Sequence, residues 1–309
     1  WLYDKHYPKL VTDKQEELYL GLFLKTQKLI IQMELTGMPL DLDKVQEARE
    51  RLESIVKQNQ DVIDNSAYIA EAQEIRRIAA HKKDFEDRRD KAKNPDKIKE
   101  KDLDTYLIET FNPNSGQQKA ALLYDLLGLP VLGLTDTGLA ETTGDTLKAL
   151  INHTESLEIK ALIEALEGYG KANKILTTFI PAFEKAVVKG DGSAWLHGNF
   201  NLGGTISGRL SSSSPNLTNI PSGSEYAKLI KECFKPPSGA LFVGSDFDSL
   251  EDKVNALITQ DPNKLKVYLE GYDSHAFRTF SYFPELMPDI EDTLESINSI
   301  KQKYPKLRD

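Results

Sequence analysis

Cysteine is almost absent from this chain of 309 residues: Cys233 stands alone. That excludes an internal disulfide and a thiolate metal cluster, and fits a reducing, intracellular setting such as the cytoplasm. Long apolar runs are also missing. No stretch of 18 or more apolar residues occurs, so nothing in the sequence is suited to spanning a membrane. The first residues, WLYDKHYPKL, lack the basic-then-apolar order of a signal peptide. No G-x-x-x-x-G-K-[ST] loop is present, nor a serine elbow or a Cys/His pair for acyl transfer. Histidines are few, and His6, His81, His153 and His197 have no partners by spacing. With no His/Cys set at zinc spacing, a hard oxygen-ligated ion is the metal the sequence favours.

What is present is a charged chain with enough apolar residues to fold. Apolar residues make up 39% and charged residues 28%, a balance that supports a core large enough for two domains. The net charge of −9 argues against a uniformly polyanion-binding surface but leaves local basic surfaces open. Residues 76–101 carry eleven Lys or Arg against six Asp or Glu, whereas residues 285–295 are acidic. Mixed-charge helices of this kind usually solvate a surface, so the segregation is weak support for nucleic acid.

Up to about residue 190 the pattern is helical. Residues 16–36 read as a helix ended by Gly37. Asp41 then caps a second helix whose apolar face is Val45, Ala48, Leu52, Ile55 and Val56. Residues 67–101 form a long charged segment broken at Asn94-Pro95. Residues 112–115 start a helix that buries Leu122, Leu123, Leu126 and Leu127, and Thr142-Thr143-Gly144-Asp145 resembles a capping box. Residues 159–188 are expected to be helical, interrupted or softened near Gly168–Gly170 and Pro181. Beyond Gly190 the texture changes: a strand over 195–202, a polar loop over 207–221, a short helix near 225–234, a strand over 240–243, and helices over 249–259 and 264–268.

Two segments carry chemistry. The loop, SGRLSSSSPNLTNIP, has Leu210, Leu217 and Ile220 as its only apolar residues and is otherwise hydroxyls, amides and one guanidinium. Arg209 can fork onto phosphate or base edges, and Asn216 and Asn219 can donate and accept at base edges. The plain alternative, a surface loop held by Ser and Asn turns, is about as good for the loop alone. In the second segment, SDFDSLEDKV, Asp246 stands at the expected end of the 240–243 strand, where it can ligate a hard cation with help from the Phe247 carbonyl. An N-cap role is the stronger reading for Asp246 alone. Asp248 and Glu251 crowd the same turn, and unscreened carboxylates repel unless a cation intervenes. His275, in Asp273-Ser274-His275, precedes an aromatic helix. Lys171 and Lys174 are able to follow a phosphate backbone, though such lysines are more often simply solvated.

Taken together these residues resemble the family A DNA polymerases. Thr205, residues 207–212 (SGRLSS) and residues 215–221 (PNLTNIP) match the family's T-x-x-G-R-L-S-S-x-x-P-N-L-x-N-I-P segment. Residues 246–253 (DFDSLEDK) match its motif A, D-Y-S-x-x-E-x-R, and Asp273-Ser274-His275 match the following D-x-H. Residues 33–41 and 111–118 look like the start and a later helix of its thumb. The resemblance implies an α+β, helix-rich fold: a helical thumb over 1–190, with 1–15 a possible tail of an exonuclease domain, followed by part of an antiparallel-sheet palm over 191–283 and the start of the fingers over 284–309. It implies that Asp246 is catalytic and, with the Phe247 carbonyl, holds two Mg2+ or Mn2+ ions. Glu251, His275, Phe247 and Leu250 would contact the incoming deoxynucleoside triphosphate, with Glu251 excluding a 2′-hydroxyl and His275 touching the phosphates. Arg209, Asn216, Asn219, Thr205 and Ser211 would contact primer–template DNA, as would Lys171 and Lys174.

Departures from the pattern are Asp248 for serine, Asp252 for leucine and Lys253 for arginine, which look phage-like, and Thr218 for a common glutamine. The family's R-x-x-x-K-x-x-x-F-x-x-x-Y-G and V-H-D-E elements are not in the sequence. The expectation is therefore an excised piece or one half of a split polymerase, inactive alone, with the missing half or an accessory factor as its partner. The rival reading is a non-catalytic DNA-binding or assembly half. A weaker one is a magnesium-dependent phosphohydrolase, which needs a second metal-binding acid, with Asp273 the one candidate.

Overall fold

A computed structural model describes residues 1–107, 109–221 and 225–308. The chain is helix-rich with small antiparallel sheets, and forms two compact units, Trp1–Leu241 and Phe242–Asp309. The texture change near residue 190 lies inside the first unit. The reason is a strand pairing that crosses it: Met38–Leu40 (β1) pairs antiparallel with Ala194–Leu196 (β3), and Val187–Val188 (β2) takes the other edge of β3.

In the first unit, helix α1 (Leu2–Thr12) is followed by residues 16–36, which run as one rod. A π segment, Tyr19–Phe23, lies in it ahead of α2 (Leu24–Thr36). Gly37, at φ +72°, ends α2, as its left-handed tolerance suggests. The Asp41 carboxylate then accepts the N–H groups of Asp43 (3.1 Å) and Lys44 (3.3 Å), and α3 (Leu42–Asp64) begins. Val45, Ala48 and Leu52 are buried on its inner face, with Ile55 and Val56 partly buried beside them. The charged helix α4 (Ala67–Asp90) stops before Asn94-Pro95. After it come α5 (Gly116–Ala120), which a π segment continues, and α6 (Gly144–Leu150).

Helix α7 (Leu157–Thr178) continues through Gly168–Gly170, where an interruption or softening is expected from the sequence. Packing explains the difference. A β-carbon on buried Gly168 would stand 3.0 Å from Asn59 Oδ1 of α3, so the glycine allows two long helices to approach closely and offsets its own helix cost. After α8 (Ile180–Phe183), residues 187–188 are strand, not helix. One core joins α3, α7, α8, β3 and α9 (Glu225–Glu232), around Leu52, Ile175, Phe183 and Ile230; a second gathers Ile63, Leu122, Leu123, Leu150 and Ile163.

The expected 195–202 strand is two strands in two sheets, β3 and Asn199–Asn201 (β4). The polar loop contains a strand of its own, Ser211–Ser213 (β5), paired with β4.

The second unit is α10 (Leu250–Thr259), α11 (Pro262–Glu270), α12 (Ser274–Tyr282), α13 (Leu294–Lys303) and α14 (Pro305–Arg308). Ala276, Met287, Ile297 and Ile300 form its core. The expected strand over 240–243 does not form. Leu241 and Val243 are 86% and 93% exposed, and among the described residues no strand lies beside them to complete a ladder. An unpaired strand leaves its backbone groups to water and gains nothing from its side chains. No described helix is long and apolar enough to cross a membrane.

Candidate nucleic-acid and nucleotide site

Residues 207–221 are an ordered surface segment. In the β4–β5 pair Phe200 stands opposite Ser212, so Ser212 turns inward and is only 6% exposed. Its hydroxyl accepts the Thr218 N–H at 2.9 Å. Asn216 caps the 3-10 turn Leu217–Asn219: its Oδ1 accepts from Asn219 N (3.2 Å), Thr218 Oγ1 (2.9 Å) and Ser212 Oγ (3.2 Å). Leu217 and Ile220 pin the turn to the first core. Upstream, Thr205 Oγ1 donates to the Arg209 carbonyl at 2.7 Å and closes the turn that presents the exposed Arg209 side chain. Thr205, Arg209, Ser211, Asn216 and Asn219 therefore belong to one local structure, in which Arg209 and Asn219 face solvent. Thr205 is held within it.

Lys171 and Lys174 lie on α7. Lys171 is ion-paired to Glu167 one turn earlier; burial pulls its pKa down, but the hydrogen bond and charge of Glu167 outweigh that and raise it. Lys174 is exposed. In the basic tract, much of the charge is structural. Arg77 binds Asp104 (2.8 Å) and the Leu103 carbonyl (3.0 Å), and Arg88 binds Asp84 (2.8 Å), which also accepts from Tyr106. Those bonds fold the return segment over 99–106 onto α4. Lys82, Lys83, Lys91, Lys93 and Lys97 are exposed.

In the second unit, Asp246 and Phe247 sit in an exposed segment without regular structure, and Ser249, at φ +49°, turns the chain into α10. Leu250 and Glu251 open that helix and are exposed. Asp246 does not cap α10; its N-cap is Ser249. Nor do the three acids converge: no group of three His, Cys, Asp or Glu side chains among the described residues is placed to hold a metal. A cation is already at hand, because Lys253 binds Asp248 at 3.0 Å. With Ser249, it holds the Asp248 carboxyl below its ordinary range.

His275 is exposed on the first turn of α12. Asp273 caps that helix through Ala276 N (2.9 Å) and takes a two-point contact from Arg308, at 3.2 and 3.0 Å. Burial pushes the Asp273 pKa up, yet Arg308 and the Ala276 N–H more than offset it, and the carboxyl titrates low. With both oxygens engaged, Asp273 is not the second metal ligand that a phosphohydrolase would need. Asp248, Lys253, Tyr268, Asp273, His275 and Arg308 line a cavity of about 500 Å³. Lys253 and Arg308 bring positive charge to it, although each is balanced by a carboxylate.

For a hard divalent ion, the Asp246 carboxylate and the neighbouring Phe247 carbonyl are suitable donors. Both residues are exposed, and Asp246 has no hydrogen bond or ion pair among the described residues. Two oxygen donors fit part of a magnesium or manganese shell, which keeps several waters.

The first unit thus carries a donor-rich surface segment, and the second an exposed acid, Asp246, and a cavity in which two cations are paired with two carboxylates. Residues 77–292 match the model of DNA polymerase family A, more than half of the chain, and the chain belongs to that family. It is 29% identical over 286 residues to the thermostable DNA polymerase I of Thermus thermophilus, covering 91% of this chain and 28% of that protein. To the thermostable enzyme of Thermus aquaticus it is 36% identical over 166 residues, covering 53% of this chain and 19% of that protein. The chain thus spans about a quarter or less of the length of these curated relatives. The fold is similar to that of the POL domain of Pol1 from M. smegmatis, solved in complex with DNA primer-template and dNTP. The TM-score is 0.66 at 21% identity, over 97% of this chain and 44% of that one. Family A polymerases are metal-dependent enzymes.

Sequence reasoning missed three participants. Ser212 lies in the matched motif, but nothing in the sequence marks it as the buried partner of Asn216 and Thr218. Arg308 lies 35 residues from its partner Asp273. Lys253, noted only as a departure from arginine, is the partner of Asp248.

Proposed function

We propose that this chain is the thumb (1–190), part of the palm (191–283) and the start of the fingers (284–309) of a DNA-directed DNA polymerase. The intact enzyme extends a primer on a DNA template from deoxynucleoside triphosphates. The family match carries this reading, because it takes in both the 207–221 segment and the Asp246 turn. Arg209, Asn216 and Asn219 hold the primer–template from its minor-groove side, with Thr205 and Ser211 shaping the segment. Lys174 follows the phosphate backbone, and Lys171 joins it only at the expense of its Glu167 pair. Phe247, Leu250 and Glu251 border the sugar and base of the incoming nucleotide, and the Glu251 carboxylate excludes a 2′-hydroxyl. His275, at the cavity with Lys253 and Arg308, faces the triphosphate.

Asp246 and the Phe247 carbonyl hold the divalent ions, Mg2+ or Mn2+, two in the intact enzyme. When bound, these supply Lewis-acid stabilisation of charge on the reacting phosphate. Two ions need more carboxylate than Asp246 supplies, so the chain alone does not polymerise and acts with the remaining half of the enzyme. The surface of α10 supports such a partner. Leu250, Val254, Leu257 and Ile258 are spaced along one helical face and lie 44–78% exposed. The same stripe supports the second reading, a DNA-binding assembly half that adds no chemistry of its own. The place of action is the cytoplasm, the host's if the protein is phage-encoded.

Primer extension tests this directly. The purified chain should bind primer–template yet extend nothing. Addition of a polypeptide carrying the family's R-x-x-x-K and V-H-D-E elements should restore extension, and Asp246→Ala should abolish the restored activity. Extension by the chain alone would refute the division of labour. Restored activity that survives Asp246→Ala would refute the role of that carboxylate and favour the assembly reading.

A further inference from the structure

The Asn216 carboxamide has its orientation decided by its neighbours. The backbone N–H of Asn219, which can only donate, lies 3.2 Å from Oδ1. Thr218 Oγ1 donates to the same oxygen at 2.9 Å, and Ser212 Oγ is a further donor at 3.2 Å. Turning the amide over would set its NH2 against an obligate donor, so the flip state is fixed by the network. Ser212 is itself locked, being buried and accepting the Thr218 N–H at 2.9 Å. The side-chain oxygen of Asn216 is thus taken up inside the protein. Its Nδ2 has no partner among the described residues, and the side chain is only half-buried.

We propose that Ser212 and Thr218 are positioning residues that lock Asn216 with its oxygen inward, making its NH2 a donor-only contact to the minor-groove edge of duplex DNA. This deepens the DNA-binding reading above and rests on it. The chemistry suits a protein that must accept any sequence. In the minor groove every base pair offers an acceptor, purine N3 or pyrimidine O2, whereas a donor occurs only on guanine. A carboxamide free to flip would also present its oxygen and favour G·C pairs. One held as a donor treats all pairs alike and responds only to whether an acceptor is in place. Thr218, where the family commonly has glutamine, thus does its work inside the turn through its hydroxyl.

The test uses the whole chain and primer–template duplexes in which a purine near the primer terminus is replaced, one position at a time, by its 3-deaza analogue, which has C–H for N3. At the contacted position the wild-type chain should bind the analogue about fivefold more weakly than the natural duplex, the effect of removing one hydrogen bond. Thr218→Val, which keeps shape but removes the donor, should bind natural DNA more weakly and discriminate less than twofold, about the error of the measurement. Thr218→Ser should restore discrimination, and Ser212→Ala should behave like Thr218→Val. Independently, the Asn216 side-chain NH2 of the DNA-free protein should be rigid by nitrogen relaxation and become mobile in Thr218→Val. Full discrimination in Thr218→Val, or an Asn216 amide equally rigid in that variant, overturns the positioning claim while leaving DNA binding intact. A chain that binds no duplex overturns the minor-groove assignment together with the functional reading.

Discussion

Replacing Asp41 with alanine should lower the melting temperature of the first unit by about 3–6 °C. The side chain does two things. Its Oδ1 accepts the first N–H groups of α3, at 3.1 and 3.3 Å, and its Oδ2 accepts Lys235 Nζ at 2.8 Å. Loss of an aspartate N-cap costs about 1–2 kcal/mol, and each kcal/mol moves the midpoint of a domain this size by about 2–4 °C. The pair with Lys235 adds less, because that lysine is 68% exposed and water screens it. Two variants separate the contributions. Asp41→Asn keeps an acceptor for the cap and removes only the pair, so it should recover most of the stability that alanine forfeits. Lys235→Ala should cost less than Asp41→Ala, and its effect should disappear in about 0.5 M NaCl.

The pH dependence follows from the same interactions. Lys235 foremost, and the two backbone N–H groups, outweigh burial and hold the Asp41 pKa below its ordinary 3.8. A depressed carboxylate pKa means that the contribution is fully present above the unfolded value and is lost as pH falls through the folded one. The gap between wild type and Asp41→Ala should therefore be constant at neutral pH and narrow below about pH 4, by the part of the contribution that depends on the carboxylate charge. Trp195, in β3 next to β1, reports the transition by fluorescence in a Trp1→Phe background. Equal melting of Asp41→Ala and Asp41→Asn would refute the claim that the cap dominates. A gap as wide at pH 2 as at pH 7 would refute the linkage argument.

Cys233 is fully buried and its thiol is pushed up to about 12, by burial first and then by Asp41 and Glu232, so a thiol reagent at pH 8 should label it only after unfolding; prompt labelling of the native protein would contradict this. Gly37→Ala should destabilise the first unit by about 2 kcal/mol or more in a urea titration, since φ is +72° and the new methyl would meet the His197 ring at 2.8 Å and the Leu196 carbonyl at 2.9 Å; an unchanged midpoint would mean that the turn relaxes. Changing Lys82, Lys83, Lys91 and Lys93 together to glutamine should leave the melting temperature within error. If the tract follows phosphate, the change should also flatten the salt dependence of duplex binding by about one unit of slope for each phosphate no longer neutralised, and an identical slope would remove the tract from the DNA surface. Leu257→Glu should leave duplex binding intact and abolish restoration of primer extension by the second polypeptide; full restoration would show that the α10 face docks nothing.

Much of this protein is legible in its residues alone, because the signals concerned are local. Gly37, Asp41 and Thr143 end or cap helices through bonds to residues within four positions of themselves, so the sequence displays both partners at once. The 207–221 and 246–253 motifs likewise fix which backbone turns and which donors are available. Tertiary structure decided the rest. Gly168–Gly170 carry the local signal of a break in α7, but the close approach of α3 makes a missing side chain an advantage there. Residues 240–243 have strand chemistry and, among the described residues, no strand to pair with, and a ladder is a property of two segments. The crowded acids of motif A resemble a metal cluster in the sequence, whereas in the fold Lys253 sits on Asp248 and Arg308 on Asp273. Composition determines which groups can donate, accept or carry charge, but a group's free valence depends on what the fold has already brought against it. That is why Asn216 can be proposed as a base-edge residue from its motif, while the orientation of its amide is set only by Ser212, Thr218 and Asn219 closing around its oxygen.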